Sequence, residues 1–331
     1  MQTSEKAPRI VDIAGYLPAR IIDNNEIVAR FGFESAFLDG KLGIRHRHVA
    51  AEGEGVADMA AAAARKLIDR VGVDKAEIDL VVLCTQNPDY KLPTTANIVQ
   101  DKLRLPVSVA AFDINQGCSG YVYGLSVVKA MMQANGWKTG LLLTSEAYSK
   151  VIDPQDRNTV PLFGDGAAAT LLQSGGPGEI GAFTFGSDGS GAQNLIVKAG
   201  GSLNPAMACA GEGALHMNGR AIFNFMMSRI PRDVEACVAA NGMAIEDVDL
   251  FLFHQASRFM VEALAQALKL PPEKVPIALA ETANTVSSTL PLLIETLGGL
   301  PALAGKTVLL SGFGVGLSWA STIIKVDGAA A

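Results

Sequence analysis

Short apolar runs alternate with longer amphipathic stretches along most of this chain. The apolar runs are rich in Val, Leu and Ile, which is typical of strands in a sheet covered on both faces. This alternation predicts an α/β protein with layered helices and sheets. Strands are predicted at residues 78–84, 107–114, 139–145, 167–173, 248–253 and 307–311, and helices at residues 56–71, 121–134, 222–240 and 258–268.

Two pairs of segments repeat in the same order along the chain. Residues 73–85 (VDKAEIDLVVLCT) resemble residues 243–255 (MAIEDVDLFLFHQ), and residues 138–148 (KTGLLLTSEAY) resemble residues 306–316 (KTVLLSGFGVG). Chance similarity between α/β segments is one explanation. Duplication explains the pattern better, because both pairs are separated by about 170 residues.

The repeats predict two halves, residues 1–175 and residues 176–331. The glycine-rich residues 176–215 are predicted to form loops, with a strand near residues 180–187. In parallel α/β sheets, ligands bind beyond the carboxyl ends of the strands. Functional residues are therefore expected directly after the predicted strands.

The composition narrows the class of protein. Of the 331 residues, 49% are hydrophobic and 18% are charged, which predicts a large core, a subunit interface or both. The net charge of −6 and the lack of a basic run argue against nucleic acid as a partner. There is no apolar run of the roughly 18 residues that span a bilayer and no secretory signal, so a cytoplasmic protein is expected.

Among the four cysteines, Cys118 is the best candidate for a nucleophile. Its surroundings, FDINQGCSGYVYGLS, predict a strand, a glycine-containing turn and then a helix. The dipole and free N–H groups of the helix N-terminus would favour a thiolate there. A buried structural cysteine is the alternative, and we assign that role to Cys84 and Cys237. Cys209 lies in a loop of small residues.

Three further segments carry candidate functional groups. His254 directly follows the apolar run VDLFLF, where a strand is expected to end. Asn284 lies in the polar stretch ETANTVSSTL, where it acts either in the site or as a turn or N-cap residue. The segment LLSGFGVGLSWAS predicts a strand, a glycine-rich turn and a second strand. Because no helix follows that turn, its N–H groups suit an oxyanion better than a phosphate.

The segment GIRHRHV places His46 and His48 on one face of a predicted strand. Such a pair resembles part of a zinc site, but a third ligand is not evident, so no metal is predicted. Arg45 and Arg47 alternate with the histidines, which indicates a solvated basic edge or a contact with an anion.

The motifs NQGCSG (Cys118), HQAS (His254), ANTVSS (Asn284) and GFGVGLSWAS occur in this order along the chain. Together with GIRHRHV and DPQDRNTVPLFGDGAAA, they resemble the 3-oxoacyl-ACP synthase III (β-ketoacyl-ACP synthase III) family of the thiolase superfamily. The resemblance covers essentially the whole chain. It implies the five-layered αβαβα thiolase-like fold made of two duplicated halves, and a homodimer.

The resemblance also implies a two-stage acyl transfer in fatty acid or specialised-metabolite synthesis, without a cofactor. Cys118 would take an acyl group from acyl-CoA, and malonyl-ACP would then lose carbon dioxide and attack the acyl-enzyme. His254 and Asn284 would donate hydrogen bonds to the enolate oxygen. Both malonyl-ACP and acyl-CoA are implied as substrates, and acyl carrier protein as a partner.

The glycine-rich turn has supporting roles in this scheme. The first oxyanion would be held by the N–H of Cys118 and by one N–H among Gly314, Val315 and Gly316, with Val315 preferred. Phe313 would shield the carboxylate that is lost. These roles are implied by the resemblance, whereas the residues alone support only their placement.

Some substrate-contact positions depart from the pattern of the family. Phe37 replaces a Trp that stacks on the CoA adenine, and Ser257 replaces the asparagine of HQAN, so the carrier entrance is altered. Leu92 replaces a Phe that enters the partner's acyl pocket, which predicts room for a longer or branched acyl chain. The positions assigned to substrate binding are Phe37, Lys41, Leu92, Arg157, Gly219, Phe223 and Ser257.

Three other interpretations stay open at this point. An acyltransferase of the same fold would use Cys118 but pass the acyl group to an alcohol or amine without condensation. A papain-like thiol hydrolase shares the chain order Cys, His, Asn, but its local signature C-G-[SA]-C-[WY] is missing. A non-catalytic subunit of a heterodimer is the third, and the intact Cys118, His254 and Asn284 argue against it.

Overall fold

The computed structural model describes residues 7–328 of the chain. Its helices are α1 (Asn24–Phe31), α2 (Ser35–Phe37), α3 (Val56–Val71), α4 (Thr95–Leu103), α5 (Gly120–Asn135), α6 (Gly219–Ala240), α7 (Arg258–Ala267), α8 (Thr289–Thr296) and α9 (Gly299–Ala302). Its strands are β1 (Pro8–Tyr16), β2 (Arg20–Asp23), β3 (His46–Val49), β4 (Leu80–Cys84), β5 (Ala110–Ile114), β6 (Thr139–Glu146), β7 (Gly166–Ser174), β8 (Gly178–Ser187), β9 (Leu195–Val197), β10 (Leu215–Met217), β11 (Leu250–Phe253), β12 (Thr307–Gly314) and β13 (Ser318–Val326).

The main sheet runs in the order β11-β12-β13-β8-β1-β7-β6-β4-β5. In the first half, β4 is parallel to β5 and β6, and β7 is antiparallel to β6 and β1. In the second half, β11 is parallel to β12, and β13 is antiparallel to β12 and β8. The two halves are joined by the pairing of Ile10 with Gly178.

The element order of the first half is repeated in the second. Strand β1 and helix α3 correspond to β8 and α6, and β4 and α4 correspond to β11 and α7. Helix α5 with β6 and β7 corresponds to α8 with β12 and β13. The segment equivalent to β5, after α7, is not a strand in the described part of the chain. The predicted duplication is confirmed in the order of these elements.

Alternate side chains of the central strands face different layers of helices, as the pleat of a strand requires. Val81 and Leu83 of β4 pack with α3 and α4 on one face of the first half of the sheet. Leu80 and Val82 pack with α5 and α8 on the other face. Helices α6 and α7 cover the far face of the second half, where Phe251 packs. The layers therefore alternate as αβαβα, which confirms the fold expected from the resemblance.

All six predicted strands and four predicted helices are present, with ends that differ by at most a few residues. The predicted strand 107–114 begins only at Ala110. The strand expected near residues 180–187 is β8. The pattern missed β1, whose run PRIVDIAGY is interrupted by Asp12. The carboxylate of Asp12 is tolerated because Arg70 pairs with it at 2.7 Å.

The prediction that GIRHRHV forms a solvated basic edge is wrong for Arg47. Its side chain is buried, with Nε donating to the carbonyl of Pro161 at 2.8 Å, while Arg45 pairs with Glu281 at the surface. His46 also contacts Glu281. Within residues 7–328, His, Cys, Asp and Glu side chains form no group of three or more that could hold a metal ion. None of the helices in that range has the length and apolar character needed to cross a membrane.

Candidate active site

The loops that follow the carboxyl ends of the strands in both halves bring the candidate residues into one region. Cys118 lies in the turn between β5 and α5, directly before the N-cap Ser119. His254 follows β11, and Asn284 lies in the loop that leads to α8. The turn between β12 and β13 contains Val315 and Gly316. Each residue therefore lies in the type of segment that the sequence predicted.

Cys118 is packed closely against the glycine-rich strand β12. A Cβ atom on Gly314 would lie 2.9 Å from the Cys118 sulfur, and one on Gly312 would lie 2.6 Å from the Cys118 carbonyl oxygen. Gly117 is equally restricted, because a Cβ there would lie 2.3 Å from Val315. These glycines permit the turn carrying the nucleophile to touch the turn after β12.

The Cys118 thiol has a raised pKa in the resting site, contrary to the expected thiolate. Burial raises its pKa to about 12, and the nearby Glu146 carboxylate acts in the same direction. The backbone N–H groups of Val315 and Cys118 lower it by hydrogen bonding to the sulfur, but they do not outweigh burial. Cys118 therefore carries its proton at neutral pH and needs an acceptor for it during attack.

Hydrogen bonds fix the two turns against each other. The Ser318 hydroxyl donates to the carbonyl of Val315 at 2.8 Å, and it lies 2.7 Å from the hydroxyl of Ser119. Because Ser119 follows Cys118 directly, this pair ties the turn that contains Val315 to the turn that contains Cys118. Both hydroxyls are buried, so the connection is held without competition from solvent.

His254 is buried and uncharged. Burial lowers its pKa to about 3, so the imidazole is neutral at pH 7. Its backbone N–H donates to the carbonyl of Ser311 in β12 at 2.8 Å. Its ring meets the ring of Phe313 edge to face, with 5.7 Å between centroids. Phe313 directly precedes Gly314, which lies against the Cys118 sulfur, so His254 and Cys118 contact adjacent residues of β12.

The proton of His254 is assigned by its hydrogen bond to Thr289. Nδ1 of His254 lies 2.7 Å from the Thr289 hydroxyl oxygen, which lies 3.0 Å from the carbonyl oxygen of Val286. A carbonyl only accepts, so the one hydroxyl proton points to Val286 and the oxygen accepts from His254. The proton of the imidazole is therefore on Nδ1, and Nε2 is free to accept another.

Asn284 is held by its own loop. Its Oδ1 accepts from the N–H of Val286 at 2.9 Å, so its amide N–H groups are left to donate elsewhere. The nearby residues Ala283 and Val286 have φ values of 55° and 56°, in the left-handed region that is unfavourable for residues other than glycine. Backbone strain of this kind is found at functional sites that the surrounding fold holds in place.

Glu146, at the end of β6, is a buried carboxyl group that the sequence analysis did not single out. One oxygen accepts from the N–H of Gln86 at 3.1 Å, and the other accepts from the Ser287 hydroxyl at 2.9 Å. Burial raises its pKa to about 8. It thereby connects the loop after β4 to the loop of Asn284. Its position at the end of an apolar strand was the signal available in the sequence.

Four of the expected carrier-contact residues belong to two small aromatic groups. Phe37 stacks on Phe33 with 5.4 Å between ring centroids, and the guanidinium of Arg157 lies 5.0 Å from the Phe33 ring centroid. In the second group, Phe223 stacks on Phe259, and the Lys41 ammonium lies 5.5 Å from that ring.

The other expected substrate-binding residues differ in their surroundings. Gly219 begins α6, and a Cβ there would meet no atom within 4 Å. Ser257 is the N-cap of α7 and accepts from the N–H of Met260. Leu92 is 83% exposed in the loop before α4 and does not line the cavity beside Val315 in its own subunit. The structure thus brings Cys118 and His254 together and leaves Leu92 outside that region.

The chain is similar to known proteins over nearly its whole length. The model of the family described as 3-oxoacyl-[acyl-carrier-protein (ACP)] synthase III matches residues 112–189, and its C-terminal counterpart matches residues 238–326. The chain is 35% identical over 323 residues to a β-ketoacyl-[acyl-carrier-protein] synthase III of Sulfurovum sp., covering 96% of this chain and 95% of that protein.

Solved structures with similar folds include a 3-oxoacyl-(acyl-carrier-protein) synthase III. It superposes with a TM-score of 0.92 at 40% identity, covering 96% of this chain and 99% of that one. The priming β-ketosynthase of the R1128 polyketide biosynthetic pathway superposes with a TM-score of 0.90 at 26% identity, covering 100% of this chain and 99% of that one.

Proposed function

Since the chain belongs to the 3-oxoacyl-[acyl-carrier-protein] synthase III family, we propose that it joins an acyl thioester, such as an acyl-CoA, to malonyl-ACP in a decarboxylating Claisen condensation. The product is a 3-oxoacyl-ACP for fatty acid or related specialised-metabolite synthesis. The observation that carries the proposal is the Cys118 sulfur, which accepts from the N–H of Val315 and packs against Gly314. The ring of neutral His254 contacts Phe313, the residue directly before Gly314.

In the first stage, the Cys118 sulfur attacks the carbonyl carbon of the acyl thioester while its proton passes to Nε2 of His254. The N–H groups of Cys118 and Val315 hold the tetrahedral oxyanion. The carbonyl then reforms, the bond to the carrier sulfur breaks, and the departing thiolate takes the proton from His254. Side and main chains supply every group this stage needs, so we propose no cofactor beyond the thioester substrates.

In the second stage, malonyl-ACP loses carbon dioxide and the amide of Asn284 donates to the enolate oxygen. The carbanion attacks the acyl-enzyme, so that a carbon–carbon bond forms, the bond to the Cys118 sulfur breaks, and the thiolate takes a proton from solvent. His254 is the second donor when Nε2 carries a proton, a state that differs from its resting tautomer. The buried ring of Phe313 disfavours a carboxylate and favours neutral carbon dioxide.

The proposal is tested by intact mass after mixing the protein with a panel of acyl-CoA and acyl-ACP thioesters, followed by a chase with malonyl-ACP. One acyl group should add to Cys118 and leave as 3-oxoacyl-ACP during the chase, and Cys118→Ala should take no label. Asn284→Ala should take the acyl group but release it in the chase about 10²–10³-fold more slowly than wild type, as expected for the loss of an oxyanion donor.

Two outcomes would contradict the condensation. An adduct that malonyl-ACP does not remove from the wild-type protein would favour transfer to an alcohol or amine. Equal labelling of wild type and Cys118→Ala would show that Cys118 is not the nucleophile. The Asn284→Ala variant is the internal control, because it separates failure of the second stage from failure of the first.

We propose that two copies of the chain associate. Strand β5 lies at the end of the main sheet, with β4 as its one neighbour among the described residues, and such an edge favours pairing with another strand. Leu92 is 83% exposed and Val107 is 99% exposed on nearby loops. Sedimentation velocity should give twice the 34.6 kDa mass of the chain, and the chain mass itself would contradict the dimer.

We also propose that the protein works in the cytoplasm with acyl carrier protein as its partner. The support is chemical, because the mechanism needs a reduced thiol and the four cysteines are all free, with Cys84, Cys118 and Cys237 buried and Cys209 exposed. Fractionation of cells that express the tagged protein at native level would test this, and recovery in a membrane or secreted fraction would contradict it.

A further inference from the structure

A cavity of about 300 Å³ lies against the turn that contains Val315 and Gly316. It adjoins Cys118, because Val315 lines the cavity and its backbone N–H is hydrogen-bonded to the Cys118 sulfur. Gly117, the residue before Cys118, lies against two lining residues, since a Cβ there would lie 2.3 Å from Val315 and 2.5 Å from Oε1 of Gln86. An acyl group on the Cys118 sulfur is therefore placed beside this space.

The volume suits an acyl group larger than acetyl. A water-sized group occupies roughly 30 Å³ in a liquid, so the cavity has room for about eight to ten non-hydrogen atoms. An acetyl group has three. A longer acyl chain would cover the apolar surface of the cavity and remove it from water, whereas an acetyl group would leave most of that surface uncovered.

The lining residues of the cavity differ in polarity. Leu195, Val197 and Leu215 are aliphatic, and we call them the aliphatic side. The carboxamides of Gln86, Asn87 and Asn115 and the phenol of Tyr148 are polar, and we call them the polar side. An unsubstituted alkyl chain would suit the aliphatic residues alone.

Hydrogen bonds within the protein already occupy the acceptor oxygens of two of these carboxamides. Oδ1 of Asn87 accepts from the N–H of Ala147 at 3.3 Å, and Oε1 of Gln86 accepts from the Tyr148 hydroxyl at 2.7 Å. Carboxamides have their donor and acceptor on opposite branches, so their N–H groups are left for another partner. The backbone N–H of Gln86 is bonded to buried Glu146, which fixes this residue in place.

Building on the proposed function, we propose that the primer is an acyl chain of about six to eight carbons with a hydrogen-bond-accepting oxygen a few atoms from its thioester carbon. The oxygen accepts from the carboxamides of Gln86 and Asn87, and the rest of the chain packs on the aliphatic side. A site built from donors rejects a ligand without an acceptor, because N–H groups that the ligand covers lose their water without gaining a partner.

The test compares pantetheine thioesters of hexanoyl, 4-oxohexanoyl and acetyl groups, which share one carrier arm. Labelling of Cys118 is followed by rapid quench and intact mass, and each rate is divided by the rate of the same thioester with a small free thiol. The 4-oxohexanoyl group should label at least about fivefold faster than hexanoyl, as expected for one satisfied buried donor.

Variants separate the polar side from the aliphatic side. Gln86→Leu keeps the size of the side chain and removes the donor, so the ratio of 4-oxohexanoyl to hexanoyl labelling should fall toward one. Leu215→Ala enlarges the aliphatic side and should change both rates while leaving their ratio. Thermal melting of both variants shows whether a change in the ratio of 4-oxohexanoyl to hexanoyl labelling comes from unfolding.

Equal labelling by the two six-carbon chains in the wild-type protein would overturn the inference, as would a preference for hexanoyl or for acetyl. A ratio that persists in Gln86→Leu would also overturn it, because the preference would then come from elsewhere. If none of the thioesters labels Cys118, the proposed function itself fails, and the two failures are therefore distinguishable.

Discussion

Replacement of Thr289 by Val should slow the acylation stage and spare the decarboxylation stage. In the wild-type site, the Thr289 hydroxyl accepts from Nδ1 of His254 and donates to the carbonyl of Val286. Valine has nearly the same shape but does not accept a hydrogen bond. The buried Nδ1–H would lose its acceptor, and the imidazole would move its proton to Nε2, where it blocks acceptance of the Cys118 proton.

The size of the effect follows from the cost of an unsatisfied buried donor. That cost is about 1–3 kcal/mol, and each 1.4 kcal/mol is a factor of ten in an equilibrium. The fraction of His254 with a free Nε2 should therefore fall by about 5- to 150-fold, and the rate of acylation should fall with it. Thr289→Ser keeps the hydroxyl and should restore most of the rate.

The assay measures the two stages separately. Acylation of Cys118 is followed by rapid quench and intact mass, and decarboxylation by release of labelled carbon dioxide from malonyl-ACP without a primer. NMR of the imidazole nitrogens reports the tautomer directly. Because burial lowers the pKa of His254 to about 3, the acylation rate in the wild-type protein should show no titration of this group between pH 5.5 and 7.5.

Three results would refute this reasoning. An unchanged acylation rate in Thr289→Val would mean that Thr289 does not set the tautomer. Equal slowing of both stages would indicate a general disturbance of the loop. An acylation rate that titrates with a midpoint near pH 6.5 would mean that His254 is not held neutral by burial. The control is thioester binding to Cys118→Ser, which should show no such titration.

Three further predictions concern neighbouring residues. Glu146→Gln should stabilise the protein at pH 9 by on the order of 4 kcal/mol relative to wild type and have little effect at pH 4, in denaturant titrations. A carboxyl group whose pKa rises from 4.5 unfolded to about 8 folded loses stability as the pH rises through that window, so equal effects at both pH values would contradict the assignment. Phe33→Ala should lower KM for acyl-CoA by about two- to fivefold and leave KM for the matching acyl-pantetheine unchanged. The reason is that Phe37 and Arg157, which contact Phe33, become free to contact the adenine ring. An equal change of KM for both donors would refute this. Gly314→Ala should slow acylation by about 10²-fold and lower the melting temperature, because its Cβ would lie 2.9 Å from the Cys118 sulfur. An unchanged rate would show that the sulfur tolerates displacement.

The local sequence was sufficient for the elements and for the position of the main candidates. Runs such as LVVLC and LFLF form strands because every side chain in them is apolar and both faces are covered. The turn NQGCSG places Cys118 before α5 because its glycines permit close contact with β12. The repeat of residues 73–85 in residues 243–255 predicted the duplication, since both segments build the same strand.

Long-range contacts decided the state of those candidates. The sequence favoured a thiolate at Cys118, but burial by β12 and the nearby Glu146 raise its pKa instead. Arg47 was expected at a solvated edge, yet it is covered by a segment 114 residues away. Phe33 was not singled out, because its contact with Arg157 arises from a loop distant in sequence.

The sequence by itself thus determined which segments become the strands of the main sheet other than β1, which turns carry Cys118, His254 and Asn284, and that the two halves share one plan. The tertiary structure alone decided the proton position of His254, the protonation of Cys118 and the polarity of the cavity beside Val315. The physical reason is the range of the forces. Backbone propensity and periodicity act over a few residues, whereas desolvation and hydrogen-bond pairing depend on which distant segments meet.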